Sequence, residues 1–285
     1  MARMAGTGRR ENEGVWDSAA AGWAKWEFAL MDAMTEATEQ MFDAASMGTG
    51  MHVLDLACGA GSQTIRAARR VGADGRVTAN DIASNMLNFV ASNAASAGLS
   101  NVETLHCPAE GLSDSSLRVD AAICRLGLML FQAPRSALDA ARSVLTEGGR
   151  FAALVFATPE DNPLFSRTMM IALAHAGKSQ PPPGSPGLFA LSDPDRLRNL
   201  LEEAGYSDTK VEQVVARLRV ASVDDALTMM QEAFGAYRAV LADLSGGKRE
   251  AAWREIRECL EQFSGPGGVD AGMTLLLASG ANRKS

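Results

Sequence analysis

The sequence predicts an α/β protein built on a mostly parallel sheet with added helices, and three observations carry that prediction. Short apolar runs alternate with segments of helical periodicity between residues 51 and 157, the rhythm of strands joined by right-handed helical crossovers. The first run ends in a glycine-rich turn that opens a helix, and an acid closes the second. Third, 285 residues at 47% hydrophobic content suffice for one enlarged domain, or one domain with a helical cap.

In chain order, residues 1–14 are polar and glycine-rich and predict a loose tail. Trp16, Ala19, Trp23, Trp26, Leu30, Met34 and Met41 then recur at helical spacing, so Trp16–Ser46 is expected to be an amphipathic helical segment. Residues 1–46 are thus a tail and a helical lid. Met51–Ala57 is a first strand, 62–72 a helix, Arg76–Asp81 a second strand, and 84–97 a helix stopped by Gly98. Val102–Cys107 and Val119–Cys124 are further strands, Pro134–Leu145 a helix opened by proline, and Arg150–Ala157 a fifth strand. Beyond Ala157 the pattern changes. Residues 162–178 are helical and Met-rich, and Gln180–Gly187 is a Pro/Gly loop. Asp193 caps a helix that runs to Ala204 and stops at Gly205. Residues 209–220 predict a strand, 222–263 a helical stretch and Met273–Ser279 a last strand. Residues 47–157 are therefore the core, 158–190 and 222–265 helical cap insertions, and 191–221 with 266–285 the remainder of the core sheet.

The charge balance narrows the partners. A net charge of -7 with no long basic run argues against nucleic acid, because a phosphate-binding surface shows as a basic excess. Cys58, Cys107, Cys124 and Cys259 form no CxxC and no short Cys/His spacing, so no metal site is expected. The first residues lack an apolar core of the kind a secretory signal needs, and no run reaches membrane-span length. The expectation is a cytoplasmic monomer or homodimer acting on a small molecule.

The central motif is Val53-Leu54-Asp55-Leu56-Ala57-Cys58-Gly59-Ala60-Gly61-Ser62. An apolar strand runs into a turn where Gly59 and Gly61 let a ligand approach the backbone, and a helix with free amides opens at Ser62. Asp81 ends the next strand about 20 residues on, where a carboxylate accepts hydrogen bonds from both hydroxyls of a ribose. A dinucleotide fingerprint would need a third glycine at Thr64, which is absent. Asp55, just before the turn, would repel a pyrophosphate but suits a ligand that carries an ammonium group.

These residues resemble the class I S-adenosylmethionine-dependent methyltransferases, especially the branch of quinone-ring C-methyltransferases of ubiquinone and menaquinone synthesis. The family's first motif, acid-x-x-Cys/Gly-Gly-x-Gly, is matched by Asp55 to Gly61. The likeness covers residues 50–157 well and the rest loosely. It implies a Rossmann-like sheet whose last strand is antiparallel, and S-adenosyl-L-methionine as cofactor. It implies that Gly59 and Gly61 pack against that cofactor beside Ala57, and that Asp55 helps hold its methionine amino group. Asp81, followed by Ile82, matches the ribose-binding acid, and Met86 a position that packs on adenine. Ala109 and Glu110 match the segment whose backbone reads the adenine edge. Pro108 stands where the family often has an acid, so a backbone contact is the one implied there. Leu145–Arg150 matches the turn before the fifth strand.

In open α/β sheets ligands bind beyond the carboxyl ends of the strands, so the family topology would turn Arg125–Phe131 toward the transferred methyl group. The lid and cap are rich in Met and aromatics: Trp16, Trp23, Met129, Phe131, Phe165, Met169, Met170, Met229, Met230, Phe234 and Tyr237. Such adaptable surface suits an apolar or aromatic substrate, and packing of the cap's own core is the competing use. His175, the one cap histidine, is the candidate base, and Arg125 the candidate to hold a cofactor carboxylate or a substrate anion. His52 and His106 sit on strand sequences and are expected to be structural. The function expected is methyl transfer to an O or C atom of an apolar or aromatic small molecule. The alternatives are N-methylation of a small amine, or a cofactor-binding cyclase or binding protein that does not methylate.

Overall fold

The computed structural model describes residues 2–182 and 184–283; before Glu13, and at residue 28, it describes backbone alone. Residue 183 of the expected Gln180–Gly187 loop lies outside the described residues. Two helices come first, α1 (Ala2–Ala33) and α2 (Thr35–Ala44), separated at Met34. The stretch expected as a loose tail is thus helical from Ala2. A helix already formed over the packed residues that follow extends into polar neighbours without a new nucleation cost. The core follows as β1 (His52–Leu56), α3 (Ser62–Val71), β2 (Arg76–Asp81), α4 (Ser84–Ser96), β3 (Val102–His106), β4 (Val119–Arg125), α5 (Pro134–Val144) and β5 (Leu145–Phe156). Short 3-10 helices at Ala109–Asp114 and Leu128–Leu130 follow β3 and β4. β5 starts five residues before the expected Arg150, because Leu145 already pairs with Val119 before the register shifts and resumes at Ala121 with Arg150.

The second half contains α6 (Pro163–His175), α7 (Pro194–Glu203), β6 (Ser207–Val220), α8 (Val223–Glu232), α9 (Gly235–Leu241), α10 (Gly246–Glu261), β7 (Ser264–Gly265) and β8 (Gly268–Ala281). Asp193 caps α7 as expected, its carboxylate accepting from the amides of Asp195 and Arg196. The stretch 222–263 is three helices, interrupted at residues 233–234 and 242–245, the third opening at Gly246 behind Ser245.

The strands form one sheet in the order β3-β2-β1-β4-β5-β8-β6, with β7 paired on β8. β1 to β5 are parallel, and β8 runs antiparallel between β5 and β6. The chain winds outward from β1 to β3 and returns at β4, so the strand order reverses between β1 and β4, where a crevice opens at the carboxyl ends. Helices cover both faces. Arg150 Nε donates to the Ala44 carbonyl of α2. The next residue, Phe151, packs on Tyr206, whose hydroxyl donates to the Leu138 carbonyl of α5. Successive strand residues point to opposite faces, so α2 and α5 sandwich the sheet. Leu54, Leu56, Ile123 and Phe151 are fully buried between them.

The cap helices close on each other. Phe165, Met229, Met230 and Tyr237 have almost no exposure, and Thr168 Oγ1 lies 2.7 Å from Tyr237 Oη. Of the two uses weighed for these residues, substrate surface and the cap's own core, they serve the second, because helices added outside a sheet must bury an apolar face of their own. α1 bridges the halves, packing on α3 and α4 at one side and on α8 and β6 at the other. Among the described residues no helix is long and apolar enough to cross a membrane.

Candidate active site

A cavity of about 780 Å³ occupies the crevice at the carboxyl ends of β1, β2 and β4. Its floor is the glycine turn. Ala57, Gly59 and Gly61 all have left-handed backbone, at φ 52°, 58° and 97°. A Cβ on Gly61 would stand 2.9 Å from Val90 Cγ2 of α4, so Gly61 serves the packing of α3 on α4. A Cβ on Gly59 would stand 3.0 Å from Trp23 Nε1 of α1. Gly59 therefore faces the cavity and the lid, whereas Gly61 backs away from them. Leu126, directly after β4, shares the left-handed conformation at φ 60°. Ala57 and Leu126 both line the cavity, and non-glycine residues held this way cost about 1–3 kcal/mol each, the kind of strain that gathers at functional sites.

Asp81 ends β2 with 8% of its surface exposed. Its Oδ2 accepts from the Gly59 amide at 3.1 Å and its Oδ1 from the Ala83 amide at 2.9 Å. Burial pushes this carboxyl up to about 6 despite those bonds. Beside it, the Asn80 side-chain amide donates to the carbonyls of Leu105 at 3.0 Å and Cys107 at 2.8 Å. Asn80 thus ties the end of β2 to the segment that carries Pro108, Ala109 and Glu110, all three of which line the cavity with Ile82 and Met86. Met86 packs with Ala20, Ala60 and Ala83 against Trp16 and Trp23.

Asp55 lies elsewhere than the motif suggested. It is fully buried behind the turn, and Gln63 Nε2 and Thr64 Oγ1 each donate to one of its oxygens at 2.6 Å. It is not a cavity residue, so a direct hold on a ligand's ammonium group is replaced by a brace between β1 and the first turn of α3. Thr64, where a dinucleotide site would carry glycine, supplies the hydroxyl that this brace needs. Burial pushes the Asp55 carboxyl up to about 7.

Arg125, the last residue of β4, lines the inner end of the cavity. Its guanidinium donates to Ser62 Oγ at 2.6 Å and Thr38 Oγ1 at 3.2 Å. Behind it Glu27 of α1 is buried, its Oε1 accepting from the Ser62 amide at 2.7 Å. Burial raises the Glu27 carboxyl, and the Ser62 bonds and the Arg125 charge oppose that rise. Neither Glu27 nor Asn80 was anticipated. Glu27 stands in an ordinary amphipathic helix, and Asn80 is one residue short of the acid that drew attention to this strand.

His175 is a correction. Its Nε2 lies 2.7 Å from Glu255 Oε2 of α10, and it does not line the cavity. The packing of α6 on α10 sets the last turn of α6 against the cap. His52 Nε2 pairs with Thr78 Oγ1 at 2.8 Å and His106 Nε2 with the Ile82 carbonyl at 2.9 Å, both structural bonds. The ionisable side chains on the cavity wall are Asp81, Glu110 and Arg125. Leu126, Gly127, Leu130 and Phe131 make the wall after β4 largely apolar, with the Gln132 amide beside them, and Trp16 and Trp23 of α1 also line the cavity. Among the described residues no group of three His, Cys, Asp or Glu side chains could hold a metal ion.

The arrangement suits a ligand with a vicinal diol for Asp81, a flat ring for the wall that Met86 and Ala109 contribute, and an anionic end for Arg125. A family model described as a methyltransferase domain matches residues 48–234. The chain is 34% identical over 123 residues to the ubiquinone/menaquinone biosynthesis C-methyltransferase UbiE of Klebsiella pneumoniae, covering 43% of this chain and 49% of that one. The chain thus spans about half the length of the curated relatives it matches. Among solved structures, it resembles the YcgJ protein from Bacillus subtilis with a TM-score of 0.59 and 16% identity, over 88% of this chain and 100% of that one. It also resembles phosphoethanolamine N-methyltransferase 2 of Haemonchus contortus, solved in complex with S-adenosyl-L-methionine, with a TM-score of 0.53 and 13% identity over 92% of this chain and 57% of that one. At these identities the two structures speak to the fold.

Proposed function

This chain belongs to the methyltransferase-domain family, and on that premise we propose that it moves a methyl group to a carbon or oxygen atom of an apolar or aromatic small molecule. It is an S-adenosylmethionine-dependent methyltransferase. When bound, the cofactor supplies an electrophilic methyl group on a sulfonium sulfur. The chain's own residues would hold it through Asp81 at the ribose hydroxyls, the bare Gly59 backbone, Met86 and Ala109 at the adenine, and Arg125 at the carboxylate. Those residue types fit the group, and the cavity is large enough for a bound molecule of that size with a small partner.

The observation that carries the acceptor assignment is the largely apolar cavity wall after β4, at Leu126, Gly127, Leu130 and Phe131, in the cavity that Trp16 and Trp23 of α1 also line. Arg125, the one cation on the cavity wall among the described residues, is the group assigned above to the cofactor's carboxylate. The wall there offers shape and dryness, and it holds no histidine. Positioning and exclusion of water then supply the catalysis, and the nucleophile is one that arrives electron-rich, as an enolate or phenolate system does. The C-methyltransferase name of the Klebsiella relative supports a carbon acceptor within this reading. The test is a screen of metabolite extracts with methyl-labelled S-adenosyl-L-methionine, the product being identified by mass spectrometry. Label on a ring carbon or oxygen is expected. Label on an amine nitrogen would overturn the assignment.

A further inference from the structure

Helices α3 and α4 begin on either side of the glycine turn and the Asp81 strand end, and neither caps itself. Gly61 and Ala83 hold their N-cap positions and make no side-chain cap, leaving first-turn amides to be met from elsewhere. Both partners come from α1. Glu27 Oε1 accepts from the Ser62 amide of α3 at 2.7 Å, and Asp17 Oδ1 accepts from the Asn85 amide of α4 at 2.9 Å. One helix thus places a carboxylate at the positive end of each of two others. The same stretch of α1 carries Trp16 and Trp23, which wall the cavity.

We propose that Asp17 and Glu27 are the clasps of a lid: α1 closes over the cofactor by capping α3 and α4, and its release from those two helix ends is the step that admits and discharges the cofactor. The proposal rests on the reading of this cavity as the cofactor site. The clasps differ in kind. The Asp17 bond is exposed to solvent and the Glu27 bond is buried. Water competes for the first, so Asp17 is the clasp that releases readily. Glu27 is the one that sets the rate, because undocking it strips a buried amide of its partner. Both act through the helix starts they hold and are positioning residues.

The test follows dissociation of S-adenosylhomocysteine by stopped-flow tryptophan fluorescence, in the full chain. Calorimetry on the unaltered protein comes first: no binding there would sink the cofactor-site reading itself. Given binding, Glu27→Ala should speed dissociation at least fivefold and Asp17→Ala less, with the double variant fastest. If Glu27→Ala melts early, Glu27→Gln keeps the shape, removes the charge and should speed release in the same direction. An independent arm joins lid to α4 by a reversible disulfide in Asp17→Cys/Asn85→Cys. Its oxidised form should exchange ligand at least tenfold more slowly, and reduction should restore the rate. An unchanged rate in the folded Glu27 variant, or exchange indifferent to the cross-link, overturns the proposal.

Discussion

Asp81 shows how one side chain shapes a cavity and then titrates within it. Its two oxygens accept from Gly59 and Ala83, so it holds the turn in place and remains available at the cavity wall. Asp81→Ala should weaken S-adenosylhomocysteine binding tenfold to a hundredfold by calorimetry, since a hydrogen bond to a charged group is worth roughly 1.5–3 kcal/mol. The acidity adds a second outcome. With the free carboxyl at about 6, and the ionised form the better acceptor for hydroxyl donors, affinity should be flat above pH 6 and fall toward tenfold per pH unit below it. Asp81→Asn should abolish that dependence. For folding the sign reverses: the raised value means that the folded chain binds this proton more tightly. This group's contribution to stability is therefore present below its ordinary value near 4 and lost as pH rises to about 6. His175→Ala should leave turnover within about twofold, because the imidazole meets Glu255 and not the cavity. A larger loss in turnover would show that the cap reaches the reacting atoms. That Asp81, Gly59 and Met86 stand at the cavity was legible in the sequence because a motif at a strand end fixes where neighbouring residues point. Glu27 and Asp55 were not, since their settings depend on partners: Glu27 meets Ser62 across 35 positions, and Asp55 is claimed by Gln63 and Thr64.

At the scale of elements, periodicity located the five parallel strands: β1, β2, β4 and the end of β5 are buried, near-continuous apolar runs, while β3 is a more exposed edge strand, found from its β-branched residues between Gly98 and Pro108. β8 extends beyond the expected Met273–Ser279 at both ends. Near its start, alternate residues face solvent, as Asp270 and Gly272 do, and pair with the likewise alternating end of β6. A half-exposed strand with glycine in it leaves little trace in a search for apolar runs. The lid was read as a helix but not as a joint. Gly22 shows the joint: a Cβ there would stand 2.1 Å from the Glu232 carbonyl oxygen of α8. Alanine would suit the isolated helix better than glycine by about 1 kcal/mol, yet in this contact Gly22→Ala must push α1 off α8. Faster tryptic cleavage after Lys25 and weaker ligand binding are expected together. Unchanged cleavage would mean that the helices part without cost.

For the whole molecule, a ligand bound between core and lid should stabilise every element it joins. S-adenosylhomocysteine at about 100 times its Kd adds about 2.7 kcal/mol, which for a chain of this size raises Tm by roughly 5–10 °C. A thermal shift scan reads this directly, with NADH as the comparison expected to give no shift. The joint between α1 and α8 also has a consequence in time. Trp26 Nε1 donates to Glu232 Oε2 at 2.6 Å across 206 positions, and Lys25 meets the same carboxylate. A ribosome adds about 5–20 residues per second, so roughly 10–40 s pass between the emergence of these two partners. Throughout that interval Trp23 and Trp26 lack part of the surface they will pack on, and Gly22 faces no neighbour. A nascent chain therefore carries an aromatic, half-docked helix until the cap has been translated. A synthesis stall before residue 232 leaves that helix exposed to whatever chaperone or protease meets it first.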